Sequence, residues 1–65
     1  MRIDRIKFVS ELTRQDLTVK KLAEKSGISA QTLSYIRQGK GCSEKTGVAI
    51  ANALGVDISE LIQEV

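Results

Sequence analysis

The sequence predicts an all-α domain of four to five short helices, on three observations. Apolar residues recur at three- and four-residue spacing along almost the whole chain, the pattern of amphipathic helices. Asp, Thr or Ser precedes each such stretch and Gly follows most of them, the residue types that start and stop helices. There is no Pro, and no run of four or more residues alternates in the manner of a half-buried strand. The chain of 65 residues should expose about 4,000 Å² when folded against about 10,000 Å² when unfolded, which allows one small core. A single domain over residues 1–65 is expected.

Helix 1 is predicted from about Asp4 to Arg14, with Asp4 as N-cap. Ile6, Val9 and Leu12 form its inner stripe, with Phe8 beside them, and Asp16 is a weak stop. Helix 2 runs from about Val19 to Lys25, capped by Thr18, with Leu22 and Ala23 inward and Gly27 at the stop. Helix 3 runs from about Ala30 to Gln38, capped by Ser29, with Leu33 and Ile36 buried and Gly39 after it. Helix 4 runs from about Glu44 to Leu54, capped by Ser43, with Val48, Ala51 and Leu54 as its inner stripe and Gly55 as terminator. Helix 5 runs from about Ile58 to Gln63, started by the capping box Asp57-Ile58-Ser59-Glu60.

The joint between helices 2 and 3 is the informative one. Gly27-Ile28-Ser29 leaves only about three residues between two amphipathic helices, which forces a steep crossing of the helix-turn-helix kind. Ile28 then points from the turn toward the core, and Ala23 is small because helix 3 crosses over it.

From Thr18 to Ile62 the chain resembles the Cro/CI (Xre-type) helix-turn-helix family of phage and bacterial repressors. The residues that carry the resemblance are Leu22-Ala23, Gly27, Ser29, Leu33-Ser34, Ile36, Gly39-Lys40 and Ile50-Ala51-x-Ala53-Leu54-Gly55-Val56. The fold implied is a compact lambda-repressor-like domain of four to five helices, with the helix-turn-helix at 18–38. Two positions depart from the family. Val19 stands where a phosphate-binding Gln is frequent. An Arg–Glu pair between helix 1 and the end of helix 3 is replaced by Leu12 and Arg37.

In this motif the start of helix 3 enters the major groove of double-stranded DNA. The base-contacting candidates are Ala30, Gln31, Thr32, Ser34 and Tyr35. Gln31 can pair with the N6 and N7 edge of adenine, and Ala30 and the Thr32 methyl can touch a thymine methyl. Each also reads as an ordinary solvated helix residue. The phosphate-contacting candidates are Thr18 and Lys20 at the start of helix 2, Ser29 at the start of helix 3, and Arg37, Lys40, Ser43 and Lys45 around the following loop. Free amides at a helix N-terminus favour an anion.

Enzymatic chemistry finds no support. With no His and one Cys, neither a zinc site nor a Ser-His or Cys-His nucleophile can be assembled, and no cofactor is expected. Gly41-Cys42-Ser43-Glu44-Lys45-Thr46 echoes a phosphate loop but lacks its spacing and its strand. Cys42 reads as an inert thiol; a redox role would need a lowered pKa, which Lys40 and the start of helix 4 could favour. The longest apolar run, Val48-Ala49-Ile50-Ala51, is far too short for a membrane span. Charges at Arg2, Asp4, Arg5 and Lys7 do not fit a signal peptide, so a reducing, cytoplasmic setting is expected.

A domain of this size reads one half-site, so a homodimer on a palindromic operator is expected. Val56, Ile58, Leu61, Ile62 and Val65 are the candidate interface. The leading function is a small transcriptional regulator, a repressor of phage, prophage or mobile-element type. The competing one is an antitoxin or protein-interaction module on the same scaffold, and a protein antagonist fits either. The net charge of +2 is unevenly spread. Residues 18–45 carry six bases and two acids, whereas 46–65 carry three acids and no base. A basic half holding the helix-turn-helix thus opposes an acidic one.

Overall fold

Each α-helix begins where a short polar side chain captures backbone amides that the helix itself cannot bond. The computed structural model describes residues 1–62, which form four α-helices and a short 3-10 turn. Helix α1 spans Arg5–Arg14, and Asp4 Oδ1 accepts from the amides of Ile6 and Lys7. Helix α2 spans Val19–Ser26 with Thr18 accepting from the Lys21 amide. Helix α3 spans Ala30–Arg37 with Ser29 accepting from Thr32, and α4 spans Glu44–Leu54 with Ser43 accepting from Thr46. All four predicted caps are therefore in place.

The stops are equally local. Gly27 and Gly55 adopt φ of 75° and 72°, the left-handed conformation that ends a helix without a Cβ clash. Asp16 takes φ of 54° after α1, a conformation Asp tolerates better than most residues.

One core is built from all the elements. Phe8, Leu22, Leu33, Ile50 and Leu61 are fully buried, with Ile3, Leu12, Ile36, Ala51 and Leu54 almost so. Ala23 and Ile28 pack against this cluster, as the short turn requires. The buried stripes of two helices differ from the prediction by a rotation. In α1 the stripe is Phe8 and Leu12, four apart, whereas Ile6 is 71% and Val9 41% exposed. In α4 it is Gly47, Ile50, Ala51 and Leu54, and Val48 lies outward. At about 100° per residue, a stripe through Phe8 cannot also contain Ile6.

The predicted fifth helix is a 3-10 turn over Ile58–Glu60. Its capping box is present, and hydrogen bonds from Ser59 hold the Asp57 carboxyl below its ordinary range. A turn at Leu61 follows. Ile62 forms an antiparallel bridge with Ile3, and the Asp4 amide donates to the Leu61 carbonyl at 2.8 Å. The helical assignment of Gln63 lies outside the described residues. Pairing the two chain segments seals Ile3 and Leu61 into the core, a contact no local periodicity encodes.

Two further ties fix the frame. The Gln15 side chain donates to the Leu54 carbonyl at 2.7 Å, joining the end of α1 to the end of α4. The segment before α1 straps the loop after α3. The Met1 amine donates to the Cys42 carbonyl, the Cys42 amide donates back to the Met1 carbonyl, and Arg2 donates to Gly39.

Two outcomes follow from these contacts. A Cβ on Gly47, buried within α4, would meet the Met1 thioether. Because Met1 is 44% exposed, that flexible end can swing into solvent. Gly47→Ala should therefore gain about 0.5 kcal/mol of helix propensity and raise Tm by a few degrees in thermal melts. A fall in Tm would mean that the thioether cannot yield. Cys42 is half-buried, and desolvation pushes its thiol pKa up, opposed by the Met1 amine. This runs against the lowered pKa that a redox role needs. Iodoacetamide at neutral pH should alkylate the folded chain several-fold more slowly than the urea-unfolded chain.

Candidate nucleic-acid interface

The outward side of α3 is set by what its inward side buries. With Leu33 and Ile36 in the core, Ala30, Gln31 and Tyr35 are left exposed and Thr32 and Ser34 half-buried. Neither α2 nor α3 has an acidic residue in its first turn. Their N-terminal amides and dipoles are therefore not opposed by a nearby carboxylate on the same turn. Glu44 does occupy the first turn of α4.

Two of the candidate hydroxyls are committed to structure. Ser29 Oγ accepts from the Thr32 amide and donates to Thr32 Oγ1 at 2.9 Å. Ser43 and Thr46 repeat the arrangement at the start of α4. The Thr32 hydroxyl serves the cap, and the residue is half-buried. Thr18 likewise spends an acceptor on Lys21 but keeps its exposure, and Lys20 and Lys45 are exposed beside their caps.

Three candidates are brought together. Gln31 Nε2 donates to the Tyr35 hydroxyl at 2.9 Å, four residues on along α3. The Lys40 ammonium lies 4.6 Å from the centre of the Tyr35 ring, within cation–π range. The Lys40 amide also donates to the Tyr35 carbonyl at 3.0 Å, so the loop is anchored to the helix by its backbone. The strap from Met1 and Arg2 holds that loop at Cys42 and Gly39, on either side of Lys40. Sequence reasoning missed this strap, because a residue near the start of the chain carries no signal of a loop forty residues away.

One candidate is drawn elsewhere. Arg37 lines a groove with Arg5, Ile6, Val9, Thr13 and Arg14, on the α1 side of the molecule. Leu12, assigned to the lost ion pair, is a core residue at 6% exposure. The α1 residue sharing the groove with Arg37 is its neighbour Thr13. Leu12 must face inward to pack below Phe8, which turns the next residue toward α3. Arg14 is neutralised by Glu11 through a 2.6 Å bond, and that pairing lowers the Glu11 pKa and raises that of Arg14.

The candidate dimer residues are also sorted. Leu61 is fully buried within the monomer and offers no surface, because the Ile3 pairing draws it inward. Val56 and Ile58 pack partly against the core, and Ile62 is half-buried in its bridge. Val65 lies outside the described residues.

Comparison with known proteins agrees with the fold. A family model described as helix-turn-helix matches residues 10–61. No curated protein matches the chain. Among solved structures, a mutant of hydroxyethylphosphonate dioxygenase superposes with a TM-score of 0.88 at 25% identity. Native PhpD with cadmium, and PhpD with cadmium and its phosphonate, superpose at 0.85 and 25% identity. Each alignment covers 100% of this chain but only 14% of the other, so the chain spans a small part of those proteins' length. The likeness is to a helical module within a longer protein, whereas the family match spans most of this chain. The chain belongs to the helix-turn-helix family of Xre/Cro-CI type, a family of DNA-binding regulators.

Proposed function

We infer that this chain is a sequence-specific reader of double-stranded DNA and acts as a small transcriptional regulator, a Cro-like repressor of phage, prophage or mobile-element type. The observation that carries the reading is the exposed face of α3, where Ala30 and the hydrogen-bonded pair Gln31 and Tyr35 lie beside a helix start without acids. On this reading α3 enters the major groove. Gln31 pairs with adenine, and Ala30 and the Thr32 methyl meet thymine methyls. Ser34 borders the same face. Thr18, Lys20, Lys40 and Lys45 approach phosphates from the helix starts and the loop, while Ser29 and Ser43, their hydroxyls committed to caps, contribute through the amides of those helix starts. Arg37 takes a lesser part, given its place in the α1 groove. The working site is cytoplasmic, on DNA; no helix among the described residues is long and apolar enough to cross a membrane.

Two-fold pairing on a palindromic operator completes the reading, with half-sites about 34 Å apart. Among the described residues, the apolar surface that these candidates leave for it is the exposed part of Val56, Ile58 and Ile62. Pairing is therefore expected to depend on DNA.

A second reading is a protein-interaction module, such as an antitoxin. The groove along α1 favours it, since Ile6 is 71% exposed there between Arg5 and Arg37. A protein antagonist of the regulator would find the same surface.

Three measurements test these readings. Gel-shift titration of a genomic fragment pool should yield a preferred sequence whose affinity falls steeply with salt. Binding to no fragment at micromolar protein would leave only the interaction module. Gln31→Ala should relax preference at one base pair by about 1–3 kcal/mol and leave the salt slope almost unchanged. Equal weakening on every sequence would remove Gln31 from base reading. In sedimentation, the free chain should be monomeric at micromolar concentration and load two copies on a palindrome. A single copy on the palindrome would overturn the two-fold arrangement.

A further inference from the structure

We propose that Tyr35 is the positioning residue for Gln31, and that its hydroxyl makes Gln31 select adenine over guanine. The inference rests on the reading of Gln31 as a base-contacting residue. A glutamine amide offers two N–H groups and one carbonyl oxygen. Adenine presents an acceptor at N7 and a donor at N6 in the major groove, whereas guanine presents two acceptors, N7 and O6. A free glutamine can serve either base: one N–H and the carbonyl for adenine, or both N–H groups for guanine.

The Tyr35 hydroxyl removes that ambiguity. It accepts one Gln31 N–H at 2.9 Å, which leaves one N–H and the carbonyl, the pair adenine requires. Guanine would then set its O6 against the Gln31 carbonyl, two acceptors facing each other. The bond also pins a side chain with three rotatable bonds before DNA arrives, reducing the entropy lost on binding. The Tyr35 O–H proton is not consumed and remains free to donate to DNA.

Tyr35 is itself held from the loop. Lys40 sits over its ring at 4.6 Å, and the Lys40 amide bonds its carbonyl. The base reader and a phosphate-contacting candidate thus form one connected unit, Gln31–Tyr35–Lys40.

The test compares the wild type with Tyr35→Phe, Gln31→Ala and the double variant. Competition binding would use the selected operator and its adenine-to-guanine variant at the Gln31 base pair. Tyr35→Phe keeps the ring, its packing and the Lys40 contact, so melting and salt slope should stay unchanged. The adenine-over-guanine preference should fall about five- to tenfold. In the Gln31→Ala background, Tyr35→Phe should change that preference no further. An unchanged preference in Tyr35→Phe, or an equal effect in both backgrounds, overturns the positioning role. If Gln31→Ala itself leaves the preference intact, the underlying base reading fails as well.

Discussion

Gly27 turns the chain through φ of 75°, and the direction in which α3 leaves α2 depends on that one residue. With only Ile28 and Ser29 left before α3 begins, the helix must cross α2 instead of lying back along it. The crossing places Leu33 and Ile36 in the same core as Leu22 and fixes which residues of α3 remain outside. Gln31 and Tyr35 are exposed because Leu33 and Ile36 cannot be. A residue with a Cβ at Gly27 would meet no neighbouring atom, so the constraint there is the backbone conformation itself.

The remaining elements close the core around that crossing. None of the helices exceeds 11 residues, so none is expected to hold in water without tertiary packing. Closure comes from contacts distant in sequence. Ile3 pairs with Ile62, Gln15 bonds the end of α4, and Met1 and Arg2 strap the loop that follows α3. Lys40 lies in that loop and reaches back over Tyr35, so the strap is connected to the exposed side of α3.

Polar chemistry is divided between structure and surface. Asp4, Thr18, Ser29 and Ser43 serve as caps, and among the described residues no side-chain polar atom is buried without a partner. Lys20, Lys21, Lys25 and Lys45 stay exposed. Arg37, also exposed, borders an apolar groove with Ile6 and Val9, which gives α1 a second surface distinct from the α3 face.

Sequence alone determined the all-α class, the four caps, the Gly27 turn and the buried pair Leu33 and Ile36. These are local matters, since a cap acts over three residues and a turn over four. Sequence also named Gln31 and Tyr35, because the α3 face follows from its buried pair. Tertiary structure alone decided the rotation of α1 and α4. Each of these helices carries more apolar residues than one stripe can bury, so Phe8 against Ile6, and Ile50 against Val48, is settled by what packs opposite. It also decided that Ile62 pairs with Ile3, that Leu61 enters the core, and that Arg37 faces α1. Those outcomes join segments up to the length of the chain apart, and no periodicity within a segment contains them.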